Sequence, residues 1–178
     1  MGRVLVEDLR RPSGVVGIHV RLVRGRVAPR PPAGQRVEVV FAPEVRGDEP
    51  LTQVEIGLVQ WVVDHEVELA NVILLAIAAE YPRFRFENDF DGELPEVVNG
   101  PDEMRPLLAL RSINVHQVLA GDAPYVGFHF DCPWEEEHGA GVLLHGTQVV
   151  EVKDCYVAEM LEYAERDAEL RFGEYRRT

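Results

Sequence analysis

The sequence predicts an α+β fold in which an antiparallel sheet of about six strands packs against one long or two consecutive helices, with a further helix at the C-terminus. Three observations predict this fold: two β-branched runs near the N-terminus, helical periodicity over residues 50–82, and four alternating segments within residues 109–153. The order strands, helix, strands, helix is typical of α+β proteins. A chain of 178 residues that is 46% hydrophobic can bury one sizeable core. We therefore expect a single domain over residues 1–178.

The N-terminal region, residues 1–46, is predicted to form a basic hairpin. Residues 15–23 and 36–42 are rich in β-branched side chains and read as strands. The proline- and glycine-rich residues 24–35 between them predict a stiff loop. The region holds nine arginines and four carboxylates, so its net charge is +5 and the remaining chain carries −18. Such an asymmetry has two interpretations. Either the basic hairpin lies beside the acidic remainder of the same chain with both solvated, or one of them is an interaction face.

The helical segment is predicted to begin with a capping box formed by Thr52 and Glu55, which have the required spacing. Valines then recur at helical intervals as far as about Tyr81, and Pro82 is predicted to end the helix. About 28 residues would be long for a globular domain. A break near Asn71, giving two packed helices, is therefore an open alternative.

The second half of the chain is predicted to form a strand meander followed by a helix. Glycine-containing turns separate short alternating segments, and short connections imply antiparallel neighbours. The acidic stretch 156–171 predicts the C-terminal helix, and residues 101–108 predict a short one. The predicted strands of the meander are residues 111–119, 124–132, 141–145 and 148–153.

Charge and composition exclude several classes of function. The net charge of −13 disfavours nonspecific contact with nucleic acid or anionic lipid, because both require a basic face. The longest apolar run has only eight residues, and no signal peptide is recognisable. Two cysteines in a chain of this size do not indicate a disulfide scaffold. We therefore expect a cytoplasmic protein with both thiols reduced.

The segment with the most specific chemistry begins at Val126. Alternation places the side chains of Val126, Phe128, Phe130 and Cys132 on the core face of a strand. Residues 133–141 follow and are predicted to be a surface loop. Three adjacent carboxylates in this loop repel one another unless they are solvated or meet a cation.

Two interpretations of this loop remain open. In the structural one, Trp134 closes the end of the sheet, His138 forms local hydrogen bonds, and Gly139 and Gly141 adopt special backbone angles. In the binding one, Trp134 is a hydrophobic anchor beside carboxylates that select a basic partner. The residues of that binding site are Asp131, Trp134, Glu135, Glu136, Glu137 and His138.

Two catalytic alternatives have weaker sequence support. A metal-dependent hydrolase would draw its ligands from one group of residues: Glu137, His138 and His145, with His129 or Asp131. No HExxH or CxxC spacing is present, however. A nucleophilic pair of Cys132 and His138 lacks any flanking motif that would activate the thiol. The sequence therefore predicts no catalytic residue, metal or cofactor.

The stretch from Phe130 to Val142 reads Phe-Asp-Cys-Pro-Trp-Glu-Glu-Glu-His-Gly-Ala-Gly-Val. It resembles an uncharacterised bacterial family, a domain of unknown function, with the hallmark Phe-x-Cys-x-Trp-Asp-x-Glu-His-Gly-x-Gly-Val. Pro133, Glu135 and Ala140 depart from the residues common there, which are Thr, Asp and Leu. The resemblance covers about residues 10–155 and implies a small stand-alone bacterial protein without an assigned activity.

In size, acidity and layout the chain is also similar to immunity-type proteins of interbacterial toxin systems, a likeness that is analogy only. It implies a non-catalytic protein that binds a basic partner, such as a nucleic-acid-modifying toxin, with no direct contact to nucleic acid or membrane. The alternatives from other classes are the metal-dependent hydrolase and a structural or oligomerisation module.

Overall fold

Strands of one mixed sheet and the helices on both of its faces make up the part of the chain that the structure describes. The computed structural model describes five stretches: residues 2–10, 16–24, 36–42, 52–87 and 94–177. The strands are β1 (Gly2–Arg10), β2 (Val16–Arg24), β3 (Arg36–Ala42), β4 (Ala109–Ala120), β5 (Ala123–Cys132), β6 (Glu135–His145), β7 (Gln148–Lys153) and β8 (Arg176–Arg177). The helices are α1 (Gln53–Asp64), α2 (Glu66–Glu87), α3 (Pro101–Met104), α4 (Cys155–Glu159) and α5 (Leu161–Phe172), and a 3-10 turn, Arg105–Leu107, follows α3.

The sheet has the strand order β2-β1-β3-β4-β5-β6-β7, and the short β8 pairs with β4. All neighbours are antiparallel except β3 and β4, which run parallel. A parallel pair requires a long crossover, which the segment containing α1, α2 and α3 supplies. The α+β class, the mostly antiparallel sheet, the helical segment and the C-terminal helix are confirmed.

Two further strands, β1 and β8, join the six that the sequence predicts. β1 lies between β2 and β3 and pairs with both, so the strands predicted at residues 15–23 and 36–42 are not neighbours. The apolar run before residue 10 is interrupted by Glu7 and Asp8, so the hydrophobic pattern does not indicate a strand there. Most of the predicted loop, residues 25–35, lies outside the described residues.

Helix α1 starts at the predicted capping box. The Thr52 hydroxyl accepts a hydrogen bond from the amide of Glu55 at 3.3 Å, and the Glu55 carboxylate accepts one from the amide of Thr52 at 2.6 Å. The helical segment breaks at His65, six residues before the predicted position near Asn71. The His65 ring stacks on Trp61 with centroids 4.1 Å apart, and its Nδ1 lies 2.8 Å from the Trp61 carbonyl oxygen.

Pro82 lies inside α2, so the prediction that it ends the helix is wrong. Proline removes one helical hydrogen bond and crowds the preceding turn. The flanking residues Tyr81 and Phe84 are 0% and 5% exposed, and their packing on the sheet holds the helix together across the proline. None of the helices in the described stretches is long and apolar enough to cross a membrane.

The larger core lies between the sheet and helices α1 and α2. The predicted core face of β5, formed by Val126, Phe128, Phe130 and Cys132, is buried there, which confirms the alternation. Helix α2 contributes residues at helical spacing, including Ile73 and Ile77. Two buried polar side chains also join α1 to the sheet: Gln117 of β4 donates a hydrogen bond to Glu55 at 2.7 Å.

The opposite face of the sheet is also covered, which the sequence did not predict. A second core joins Tyr125 and Leu143 of the sheet to Val157 of α4 and Ala164 of α5. The Tyr125 hydroxyl donates a hydrogen bond to Asp167 at 2.8 Å. The predicted C-terminal helix is thus two helices separated at Met160, and the short α4 lies directly over β5 and β6.

Candidate functional site

The connection between β5 and β6 is a two-residue turn rather than the predicted loop over residues 133–141. Strand β6 begins at Glu135, and the Cys132–Glu135 pair lies across a register shift. Gly139 absorbs the irregularity with a φ of 66°, where a Cβ atom would overlap the carbonyl oxygen of Phe130. This irregularity is a β-bulge. It allows the charged residues 135–137 to belong to β6, although their sequence resembles that of a loop.

Trp134 is buried, so its side chain does not present to solvent the hydrophobic anchor that the binding interpretation assigns to it. Its side chain is 3% exposed and packs edge-on against Tyr81, with ring centroids 5.3 Å apart. It also stacks on Phe84 at 5.9 Å. Both partners belong to α2, so Trp134 joins the turn to the helical layer. This placement matches the structural interpretation, in which Trp134 closes the end of the sheet.

The three adjacent carboxylates have different environments. Glu135 is half-buried, and its Oε1 accepts hydrogen bonds from the amides of Glu137 at 3.1 Å and His138 at 3.2 Å. Glu136 and Glu137 are exposed, and within the described stretches neither forms an ion pair. Glu135 therefore stabilises the start of β6, and its two neighbours project charge into solvent.

A second group of exposed side chains adjoins these carboxylates. The His138 ring lies 5.5 Å from the ring of Tyr156 on α4, and Tyr156 is 41% exposed. Met160, one helical turn further, is 42% exposed. We call Glu136, Glu137, His138, Tyr156 and Met160 the acidic surface.

The remaining predicted site residue, Asp131, lies at the end of β5. Its carboxylate is 3.3 Å from the guanidinium of Arg111 on β4, and both side chains are about half exposed. This ion pair offsets the charge of Asp131. Its side chain therefore adds less to the acidic surface than Glu136 or Glu137.

Helix α4 is held against the sheet by close backbone contact. A Cβ atom on Gly127 would overlap the carbonyl oxygen of Ala158, and one on Gly141 would overlap that of Asp154. The buried His116 bonds the same Ala158 oxygen through Nε2 at 3.0 Å. Burial lowers the pKa of His116 to about 4, so the ring is neutral at physiological pH.

Three side chains with metal-ligating atoms meet where α4 crosses β5. One ligand atom from each of His129, Cys155 and Glu159 lies within 4.8 Å of the others. The His129 Nδ1 is 2.7 Å from a carboxylate oxygen of Glu159, and this hydrogen bond lowers the pKa of Glu159. Among the described residues this is the group that could hold a metal ion.

The sequence contained a signal for this cluster that the prediction missed. Cys155 and Glu159 are four residues apart, a spacing that places both on one face of a helix. Because the C-terminal helix was predicted to begin at residue 156, Cys155 was left outside it. Strand alternation implies that His129 faces away from the larger core, but nothing in the sequence indicates which element covers that face.

Neither cysteine is activated as a nucleophile. Burial raises the pKa of the Cys132 thiol to about 12. Burial, together with the charges of Glu159 and Asp154, raises that of Cys155 to about 11. Cys132 lies in the core beneath α2, whereas His138 contacts α4 across the sheet, so the alternative of a Cys132–His138 nucleophilic pair gains no support from the structure.

The metal ligands considered from sequence are not brought together. Glu137 and His138 lie near the start of β6 and His145 lies at its end. Seven residues of extended strand separate His138 from His145 by roughly 23 Å. The Nε2 of His145 is bonded to the Ala120 carbonyl oxygen at 2.9 Å. The described structure therefore does not bring Glu137, His138 and His145 together in one site.

An open cleft of about 530 Å³ lies at the opposite end of the sheet from the acidic surface. Trp61, His145 and Phe172 are among its lining residues. The guanidinium of Arg171 also lines it but is held by Asp167 at 2.8 Å and Gln148 at 3.0 Å. The cleft contains none of the residues predicted for the binding site, and Arg171, the one arginine among its described lining residues, is already paired.

Comparison with known families identifies one match. The family described as "Domain of unknown function (DUF6985)" matches residues 28–159, well over half of the chain. The chain belongs to this family. Neither the curated proteins nor the solved structures contained a significant match.

Proposed function

We propose that the chain is a non-catalytic, immunity-type binding protein whose acidic surface occupies a basic region of another protein. The observation that carries this proposal is the exposure of Glu136 and Glu137, which form no ion pair within the described residues. They precede His138, whose ring lies 5.5 Å from the ring of the exposed Tyr156. Exposed charges of one sign select and steer a partner of the opposite sign, and an aromatic side chain supplies contact area.

The charge of the whole chain supports the same partner chemistry. A net charge of −13 produces a long-range field that attracts cationic surfaces and repels nucleic acid. Steering of this kind raises association rates to about 10⁸–10⁹ M⁻¹s⁻¹ at low salt. Glu136 and Glu137 contribute to this steering. At the rim of an interface they would stay solvated, so the desolvation cost of binding would be small.

Tyr156 takes the anchoring role first assigned to Trp134. Tyr156 is 41% exposed, whereas Trp134 is 3% exposed and packs inside the protein. Met160 adds a flexible apolar side chain, a type found on surfaces that adapt to a partner. The proposed interface therefore combines a small apolar centre from α4 with carboxylates from β6.

The partner that fits this surface is a basic protein, and an active-site cleft that handles nucleic acid is one example. Such a cleft is lined with Lys and Arg because it must neutralise phosphates. A carboxylate-bearing surface can occupy it in place of the nucleic acid. In this proposal the protein acts in the cytoplasm of a bacterium and protects the cell from a toxin.

The decisive experiment measures association with the protein encoded by the neighbouring gene. The double variant Glu136→Arg/Glu137→Arg should slow association by at least tenfold and flatten its dependence on NaCl concentration. Tyr156→Ala should instead accelerate dissociation, since a central anchor is lost. A matched control, Glu169→Arg/Glu174→Arg, changes the same total charge at exposed positions elsewhere and should retain most of the rate.

Three results would contradict the proposal. Association that ignores ionic strength would remove the steering argument. Equal losses in the Glu136/Glu137 and Glu169/Glu174 variants would show that only total charge matters. Turnover of a substrate by the purified chain would place it among enzymes instead.

A further inference from the structure

We propose that His129, Cys155 and Glu159 form a zinc-binding site that joins α4 to the sheet. Their ligand atoms lie within 4.8 Å of one another. Imidazole nitrogen, thiolate sulfur and carboxylate oxygen are the ligands that Zn²⁺ uses in proteins. The site goes beyond the proposed binding function and does not depend on it.

The geometry requires only small side-chain movements to accept the ion. Zn–N and Zn–O distances of about 2.0 Å and a Zn–S distance of about 2.3 Å place tetrahedral ligand atoms roughly 3.3–3.6 Å apart. The hydrogen bond between His129 and Glu159 is 2.7 Å long, so these two groups must separate by less than an ångström. Cys155 and Glu159 project from the same face of α4 and can close on the ion together.

The backbone around the cluster is already held in place. The carboxylate of Asp154 accepts a hydrogen bond from the amide of Tyr156 at 3.2 Å and caps α4. Gly127 and Gly141 allow the helix to contact the sheet directly. The ligands therefore come from two elements whose separation is fixed before the metal binds, a feature that favours a defined site.

His129 is the most deeply buried of the three proposed ligands. The residue is 3% exposed, and its Nε2 has no hydrogen-bond partner among the described residues. This Nε2 lies beside Gly139, whereas the ring atom that faces Glu159 is Nδ1, so the proposed metal ligand is Nδ1. Cys155 is 7% exposed. The side chain of Glu159 is 42% exposed, so a metal ion can reach the cluster from solvent.

The charge of the cluster suits a divalent cation. Neutral imidazole, one thiolate and one carboxylate carry −2 in total, so Zn²⁺ would make the centre neutral. Binding forms a Zn–S bond and releases the Cys155 thiol proton to solvent, because the thiolate is the ligand. A water molecule would complete a four-coordinate centre, as in other sites with three protein ligands.

The test titrates the full-length, reduced and chelator-treated protein with Zn²⁺ alone and with Co²⁺ alone. Calorimetry should give one equivalent of Zn²⁺ and the release of one proton. Co²⁺ should produce tetrahedral d–d bands and a thiolate-to-metal charge-transfer band. Cys155→Ser should abolish the charge-transfer band and weaken Zn²⁺ binding by about 100-fold or more, since loss of even an outer partner costs about 10–100-fold.

Three further variants separate a metal centre from a general effect on folding. Cys132→Ser changes the other buried thiol, which lies in the larger core, and should leave the charge-transfer band unchanged. Glu159→Gln alters a ligand whose side chain is 42% exposed, so folding should survive while Zn²⁺ affinity falls. Glu162→Gln, at an exposed position of α5, should retain wild-type affinity.

The proposal is overturned if the wild-type protein binds no stoichiometric Zn²⁺. A charge-transfer band that persists in Cys155→Ser would also overturn it, because the sulfur ligand would then be Cys132. If Cys155→Ser does not fold, Glu159→Gln decides the outcome: unchanged Zn²⁺ affinity would refute the site.

Discussion

Trp134 and Tyr156 are both aromatic, but one side chain is buried and the other is exposed to solvent. Trp134 packs against Tyr81 and Phe84 in the core, whereas Tyr156 is 41% exposed beside His138. Truncating a buried Trp typically costs about 3–5 kcal/mol, and exposed positions usually change stability by within about 0.5 kcal/mol. The first residue should therefore govern folding and the second should govern binding.

We expect Trp134→Ala to lower the free energy of unfolding by about 3–5 kcal/mol. Tyr156→Ala should change it by no more than about 0.5 kcal/mol. Urea unfolding followed by circular dichroism measures both values under identical conditions. Equal effects of the two substitutions would mean that the turn after β5 does not pack as described.

His116 is a second residue whose environment has a measurable consequence. Its ring is buried and bonded to the Ala158 carbonyl oxygen at 3.0 Å, and burial lowers its pKa to about 4 from an ordinary value of 6.5. Between these two values the unfolded chain binds the proton more readily than the folded one. Stability from this group is therefore complete above the ordinary pKa and is lost as the pH falls.

We expect the free energy of unfolding to decrease from about pH 6.5 to about pH 5, at a rate approaching 1.4 kcal/mol per pH unit. His116→Gln keeps a side-chain donor for Ala158 but does not titrate in this range, so its slope should be shallower. Urea unfolding at several pH values provides both slopes. Parallel curves for the two proteins would show that His116 is not the group responsible.

At the scale of elements, the contact between α4 and β5 depends on the absence of a side chain at Gly127. A Cβ atom there would overlap the Ala158 carbonyl oxygen, which belongs to the helix backbone and cannot rotate away. By contrast, a Cβ atom on Gly57 in α1 would meet no atom within 4 Å. These two glycines allow the same substitution to be compared with opposite expectations.

We expect Gly127→Ala to destabilise the protein by about 1–3 kcal/mol, the usual range for overpacking. Gly57→Ala should stabilise it by about 0.5–1 kcal/mol, because alanine is favoured over glycine inside a helix. Denaturant midpoints measured on the two variants give the comparison. Loss of stability in both, or in neither, would argue against close packing of α4 on the sheet.

Elements with strong local signals could be predicted from sequence, and those that depend on distant packing could not. The capping box at Thr52 and the alternation from Val126 to Cys132 are local chemistry, and both are confirmed. Pro82 signals a helix end, but tertiary contacts of α2 override it. The second core and the proximity of His129 to Cys155 depend on where α4 packs against the sheet, and no local sequence pattern specifies that position.

For the molecule as a whole, the distribution of charge matters more than its total. The chain carries −13, yet many carboxylates of the described stretches pair with arginine, as Glu151 does with Arg166 at 2.6 Å. Glu136 and Glu137 have no such partner there and stand next to each other on β6. Self-repulsion should therefore be concentrated at the acidic surface, where a basic partner would relieve it.

This imbalance predicts that added salt stabilises the protein. Raising NaCl from about 20 to about 300 mM shortens the screening length to below the spacing of most surface charges. We expect the free energy of unfolding in urea to rise, because net repulsion weakens more than the exposed ion pairs do. Glu136→Gln/Glu137→Gln should raise stability at low salt and reduce the dependence on NaCl. Glu169→Gln/Glu174→Gln removes the same total charge from separate positions and should have a smaller effect. A fall in stability with salt would show that ion pairs, rather than repulsion, dominate the electrostatics of this fold.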